Sequence, residues 1–314
     1  MSSASPREFR SDAVRVGSIF FTGLTGLATL LILAMLAVIL ANIAFNGWRG
    51  LSWRFVSTIP TKDFFAPESA AVLPMIVGTT LRVLVMTIFV IPVGVITAVY
   101  LTEYAHTTSL LTRVIRGAVN NLAGVPSIVF GLFGLGFFVF FVGKNLDLLL
   151  HNSKPTWGHE SILWASLTLA VMTLPVVIVA TEEALKAIPA GLREASLALG
   201  ATKLETIVKI VLPQALPGIM TGGILAVSRA AGEVAPIMLT GAAYYLASLP
   251  KAPTDQFMDL GFYIYILSTQ SPNIENTRSI LYATVLVLLL LTFALNVVAI
   301  LIRAHMRKKL RASH

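Results

Sequence analysis

The 314-residue chain contains no cysteine, so disulfide scaffolds, thiolate zinc sites and cysteine nucleophiles are excluded, and its redox compartment cannot be read. Charge is scarce as well. Asp, Glu, Lys and Arg make up 12% of the residues, against about 25% in soluble proteins. So few charges cannot cover the surface of the roughly two soluble domains that this length would otherwise make. No stretch fits the G-x-x-x-x-G-K-S/T phosphate loop, because Gly200-Ala201-Thr202-Lys203 lacks its spacing. His106, His151, His159, His305 and His314 show no metal-ligand spacing. There is no repeat of about 20 to 50 residues. These absences exclude a cytosolic enzyme and lead us to expect neither a catalytic centre nor a metal site, in a chain whose solvent is partly lipid.

What is abundant is apolar sequence, 56% of the residues. A membrane-spanning helix needs about 20 mainly apolar residues. Six stretches meet that need, near 17–45, 73–101, 117–142, 161–181, 214–241 and 280–302. The fold class expected is therefore an all-α polytopic membrane protein of six transmembrane helices. The first run follows Arg7, Arg10 and Arg15 but is too long for a signal-peptide core, and it reads as an uncleaved anchor, peripheral to the rest. With both termini in the cytoplasm, the inner segments carry 14 Lys and Arg and the outer loops 7, which favours that orientation. The basic tail (Arg303, Arg307, Lys308, Lys309, Arg311) reads as a positive-inside anchor that also faces membrane lipid. The formal charge of +8 then needs no nucleic acid. The expected divisions are 1–72 (terminus, anchor and first outer loop), 73–303 (the bundle) and 304–314 (the tail).

Proline interrupts four of the spans, at Pro92, Pro126, Pro175 and Pro236, each removing a backbone hydrogen bond. Four such kinks suit a transporter or channel. Ala123, Ser127 and Gly131, spaced i, i+4, i+8, predict a small-residue ridge for close helix packing. The segment 182–213 is too polar to span. Ile188-Pro189 marks a helix start, Gly200 its left-handed stop, and Thr202 with Glu205 a capping box that opens a second short helix running to Pro213. Leu192, Ala195 and Leu199 form an apolar stripe able to dock in a groove of another protein.

In the fifth span Arg229 and Glu233 are spaced i, i+4. An arginine deep in a bilayer costs about 2.5 to 3.5 kcal/mol on insertion scales and so needs a partner or a watery path. It is read either as a structural ion pair or as a planar set of N–H donors for a passing oxyanion, with Glu233 holding it and weakening its grip. Arg82, in the second span, is a candidate second pathway cation or else a paired or snorkelling arginine.

Glu194-Ala195-Ser196, then Gly200, then nine residues to Ile210-Val211-Leu212-Pro213, resembles the E-A-A, G, I-x-L-P coupling motif of ABC importer permeases, departing only at Ser196. Ser228-Arg229-Ala230-Ala231-Gly232-Glu233-Val234-Ala235-Pro236, the run from Asn121 to Gly134, and Tyr100-Leu101-Thr102-Glu103-Tyr104-Ala105 resemble the A-type permease subunit of phosphate-specific ABC importers over about 73–303. The resemblance implies a type I importer permease fold with a cytoplasmic coupling helix, in a bacterial inner membrane. It implies that Glu194, Ala195 and Gly200 carry ATP-driven closure into the bundle and that Arg229 and Glu233 act in phosphate translocation. Implied partners are a homologous C-type permease, two copies of a cytosolic ATPase that holds the ATP and Mg, and an external phosphate-binding protein. The outer loop 246–279, with Lys251, Asp255, Asp259, Glu275 and Arg278, is the expected surface for that protein. The alternatives are the C-type subunit, a molybdate or sulfate permease, an ATP-independent channel, or a structural membrane protein.

Overall fold

The computed structural model describes residues 12–60, 65–106, 108–151, 156–246 and 248–312, and side chains only within 17–308. Arg7, Arg10 and the side chains of Arg15, Lys309 and Arg311 lie outside the described set. Among the described residues are six helices long and apolar enough to cross a membrane: Gly17–Trp48, Leu73–Tyr104, Ser127–Leu149, Ile162–Lys186, Lys203–Gly232 and Ile274–Lys308, here called spans one to six.

Two spans begin and end elsewhere than their hydropathy indicates. The third was expected at 117–142, but a turn at Gly124 and Val125 before Pro126 divides it. An amphipathic helix, Leu110–Leu122, precedes the turn, and span three starts at Ser127 behind Pro126. Proline disfavours helical backbone in the residue before it, which is why the break falls there. The fifth was expected at 214–241. It instead begins at Lys203, running through a π-helical turn at Ile207–Val211 without interruption, and stops at Gly232. The coupling segment's second helix is thus the start of span five. Pro236 lies beyond the break and opens the short helix Ile237–Thr240, whereas Pro92 and Pro175 do sit inside continuous helices.

Span four is the centre of the bundle, with spans two and five packed along it. Small residues make that packing close: a side chain at Gly94 would strike Val177, and one at Gly222 would strike Ala180. The main core joins Met86, Val90, Leu169, Val177 and Ala226 from these elements with Ile237 of the short helix after span five. A second apolar cluster lies around Met75, Met258, Tyr263 and Ile280, and a third, around Ala98, Leu101, Leu185 and Val211, lies toward the coupling helix. Span one is peripheral as expected, with none of its apolar window buried and its main packing against span six.

Candidate translocation site and coupling surface

Span five stops inside the bundle, and the consequences set the geometry of the site. A helix C-terminus leaves its last carbonyls without intrahelical donors, and water cannot reach them in the core. Arg82 supplies the donors. Its Nη1 bonds the carbonyl of Ala230 at 2.7 Å and its Nη2 that of Ala231 at 3.1 Å, while Nε donates to Asp259 Oδ2 at 2.6 Å. A cation there also complements the negative end of the helix dipole. Asp259 is itself saturated: Thr79 Oγ1 donates to Oδ2, and the backbone N–H groups of Gly261 and Phe262 donate to Oδ1 as the N-cap of helix Leu260–Thr269.

Arg82 and Asp259 have no exposed side-chain surface. This corrects two expectations. Arg82 is not open to a pathway, because its fork is consumed by one carboxylate and two carbonyls; the paired alternative is what the fold adopts. Asp259 is not on the outer surface, because the chain returns from the loop into the bundle and helix Leu260–Thr269 starts there.

The corner that Arg82 builds presents Arg229 and Glu233. Glu233, first residue past the helix, is in extended backbone, yet its Oε1 still reaches Arg229 Nε at 3.4 Å. Their side chains are 49% and 21% exposed, so this is a loose pair on a face the chain leaves uncovered. Beside it, Ser228 Oγ donates to Asn296 of span six at 2.7 Å and fixes the register of the helix end. Among the described residues the Arg229 guanidinium meets only Glu233, leaving N–H donors for an oxyanion.

The packing ridge is only partly as expected. The turn before Pro126 puts Ala123 at the end of one helix and Ser127 at the start of another, so the three positions share no continuous face. Gly131 does mark a close approach. A Cβ there would lie 3.0 Å from Pro236 Cα and 3.2 Å from the Ala235 carbonyl, so span three presses directly on the break after span five.

The candidate coupling helix runs Ala190–Ala198 behind Pro189 and none of its residues is buried. Gly200 is left-handed at φ 88°, and the Thr202/Glu205 capping box is formed in both directions. Leu192 and Leu199 are 39% and 89% exposed, and Glu194 and Ala195 are also exposed. Ser196 instead turns inward, its Oγ 2.9 Å from Thr206 Oγ1. The helix is bound to the bundle chiefly by Arg193, through Glu103 at 2.9 Å and the carbonyls of Leu185 and Ile188 at 2.8 Å.

A family model described as "Binding-protein-dependent transport system inner membrane component" matches residues 90–312. The chain belongs to this family.

Among its relatives, the probable ABC transporter permease protein YqgI of Bacillus subtilis is 34% identical over 70% of this chain and 68% of that one. The phosphate transport system permease protein PstA 1 of Mycobacterium tuberculosis is 40% identical over 52% of this chain and 48% of that one, so the matched stretch spans about half of each. In fold, the permease resembles a chain of a bacterial alginate ABC transporter crystallised with an alginate pentasaccharide-bound periplasmic protein. The TM-score is 0.59 at 13% identity, covering 95% of this chain and 96% of that one. The architecture is the type I ABC importer permease fold, in a multi-pass inner-membrane subunit of binding-protein-dependent transport.

Within this permease, sequence reasoning singled out Arg229, Glu233 and the coupling motif but passed over Arg193, Glu103 and the Asp259 role. Asp259 carried a usable signal, an Asp just before the apolar run Leu260-Gly261-Phe262, which is an N-cap signature. Arg193 and Glu103 are 90 residues apart, and nothing local pairs them.

Proposed function

We propose that this permease is the A-type subunit of an ATP-driven phosphate importer. It forms half of the translocation path with a homologous C-type permease, and both termini are cytoplasmic. Two copies of a cytosolic ATPase, holding the ATP and Mg, engage the exposed surface formed by Leu192, Glu194, Ala195, Leu199 and Gly200. An external phosphate-binding protein delivers the anion. The observation that carries this reading is the half-exposed Arg229 beside the broken end of span five. A cation placed inside a membrane bundle with open donors is a functional feature before it is a structural one. The phosphate assignment is supported by relatives named as phosphate permeases.

In this mechanism Arg229 donates N–H bonds to the passing phosphate, and Glu233 competes for the same guanidinium, so that the anion is held briefly and released. Arg82 touches neither; it fixes the helix end from which Arg229 projects. Closure driven by ATP enters through the coupling helix and alternately opens the two sides of the path.

The test is ATP-dependent uptake of radiolabelled phosphate by the reconstituted complex, comparing wild type with Arg229→Gln at matched assembly. Loss of uptake with ATPase binding intact is the expected result. Unchanged uptake would make Arg229 and Glu233 a structural pair and refute the reading.

A further inference from the structure

We propose that Arg193 is the strut that passes movement of the coupling helix into spans two and four, a positioning role that rests on the ATP-coupled reading above. The helix Ala190–Ala198 buries none of its own residues, so packing alone cannot transmit force from it to the bundle. Beside the Ser196–Thr206 hydrogen bond to the start of span five, Arg193 does the joining. Its Nε and Nη2 hold Glu103 Oε1 at 3.1 and 2.9 Å, its Nη2 also reaches the Leu185 carbonyl at 2.8 Å, and its Nη1 reaches that of Ile188 at 2.8 Å.

Glu103 lies in the π-helical turn Tyr100–Tyr104 that closes span two, and Leu185 in the last turn of span four. One planar group thus pins the coupling helix to the ends of two spans at once. Because the guanidinium is rigid and bonded in several directions, it resists rotation under both push and pull, which a single ammonium contact does not. The pair is 21% and 10% exposed, sheltered from much of the screening that weakens surface ion pairs.

The same two span ends are held from another side by Arg116, which bonds Glu182 at 2.9 Å and the Leu101 carbonyl at 3.1 Å. Arg116 belongs to helix Leu110–Leu122, which leads through the turn before Pro126 into span three. A contiguous chain of ion pairs and helices therefore runs from the coupling helix to the span that presses on the break beside Arg229 and Glu233, the kind of network that carries coupling energy between sites.

The experiment compares substrate imported per ATP hydrolysed in the reconstituted complex for wild type, Arg193→Ala, Glu103→Ala, the double variant, and the milder Arg193→Lys and Glu103→Gln. ATPase co-purification and thermal stability are measured alongside. Expected is a fall of at least about fivefold in import per ATP for either alanine variant, with hydrolysis continuing and the ATPase retained. The double variant is no worse than the poorer single one, and Arg193→Lys recovers part of the loss. The proposal is overturned if import and hydrolysis fall in proportion, or if the two single losses multiply in the double variant. Should the alanine variants not assemble, Glu103→Gln decides by the same ratio, since it keeps the carbonyl bonds of Arg193. If the wild type imports molybdate or sulfate instead of phosphate, the ratio is taken with that anion, so a wrong substrate and a wrong strut give different results.

Discussion

Replacing Asp259 by alanine tests whether the truncated end of span five depends on the Arg82 corner. The change removes the carboxylate from a guanidinium with no solvent contact, leaving a buried positive charge with only two carbonyls for partners. Breaking a buried ion pair from one side costs about 3–5 kcal/mol. Asp259 also caps helix Leu260–Thr269 through Gly261 and Phe262, and loss of such a cap costs about 0.5–2 kcal/mol. The two losses share one side chain and do not simply add, so the expected destabilisation is about 3–5 kcal/mol. At roughly 2–4 °C per kcal/mol for a domain of 150–250 residues, the thermal midpoint of the purified protein in detergent falls by about 6–20 °C. Arg82→Met costs less on the Asp259 side, where Thr79 and two backbone N–H groups still satisfy the carboxylate, but it takes the Arg82 donor from the carbonyls of Ala230 and Ala231 and leaves Ala230 with the Glu233 N–H. The variant carrying both Arg82→Met and Asp259→Leu removes both charges together, so its loss falls well short of the sum of the two single losses. A midpoint for Asp259→Ala within a degree or two of wild type would refute this account of how the helix end is held.

Three further outcomes follow from the geometry. Gly131→Val drives a branched side chain into Pro236 and Ala235 and lowers stability by about 1–3 kcal/mol, whereas Gly136→Ala, with nothing near its Cβ position, leaves the midpoint in detergent unchanged. If both behave alike, the close approach of span three to the break is wrong. Leu199→Asp, at a position 89% exposed, leaves the isolated permease's unfolding midpoint unchanged and reduces the amount of ATPase that co-purifies; undiminished capture would remove Leu199 from the docking surface. Asp255 accepts backbone N–H bonds from Lys251 and Ala252, which hold its carboxyl below the usual value. A depressed folded pKa contributes stability above the unfolded value and loses it as pH falls through the folded one. Protection of the Lys251 and Ala252 amides, taken as exchange relative to the intrinsic rate at each pH, should therefore stay constant from neutrality down to the ordinary aspartate range and fall only below it. Loss of protection near pH 6 would point to another group.

The six spans and the coupling segment were legible because lipid imposes a constraint that needs no tertiary information: every spanning backbone must bond within its own helix, and its side chains must be apolar for about 20 residues. Gly200 and the Thr202/Glu205 box were legible for a similarly local reason, since a left-handed residue and a capping box are satisfied within a few positions. Arg229 and Glu233 stood out because charge is costly wherever it falls in a span.

What tertiary structure alone decided was which of the costly groups are spent on the fold. Arg82 and Arg229 look alike in sequence, each an arginine inside an apolar run. Arg82 is consumed because span five ends against it and Asp259 returns to it from 177 residues away, while Arg229, beside the same break, has among the described residues only Glu233 for company. Likewise hydropathy carried span five to 241, because the residues after Gly232 are apolar enough to continue. The end formed at Gly232 is held by Arg82, a distant donor to the carbonyls of Ala230 and Ala231, and no local rule of hydropathy contains it.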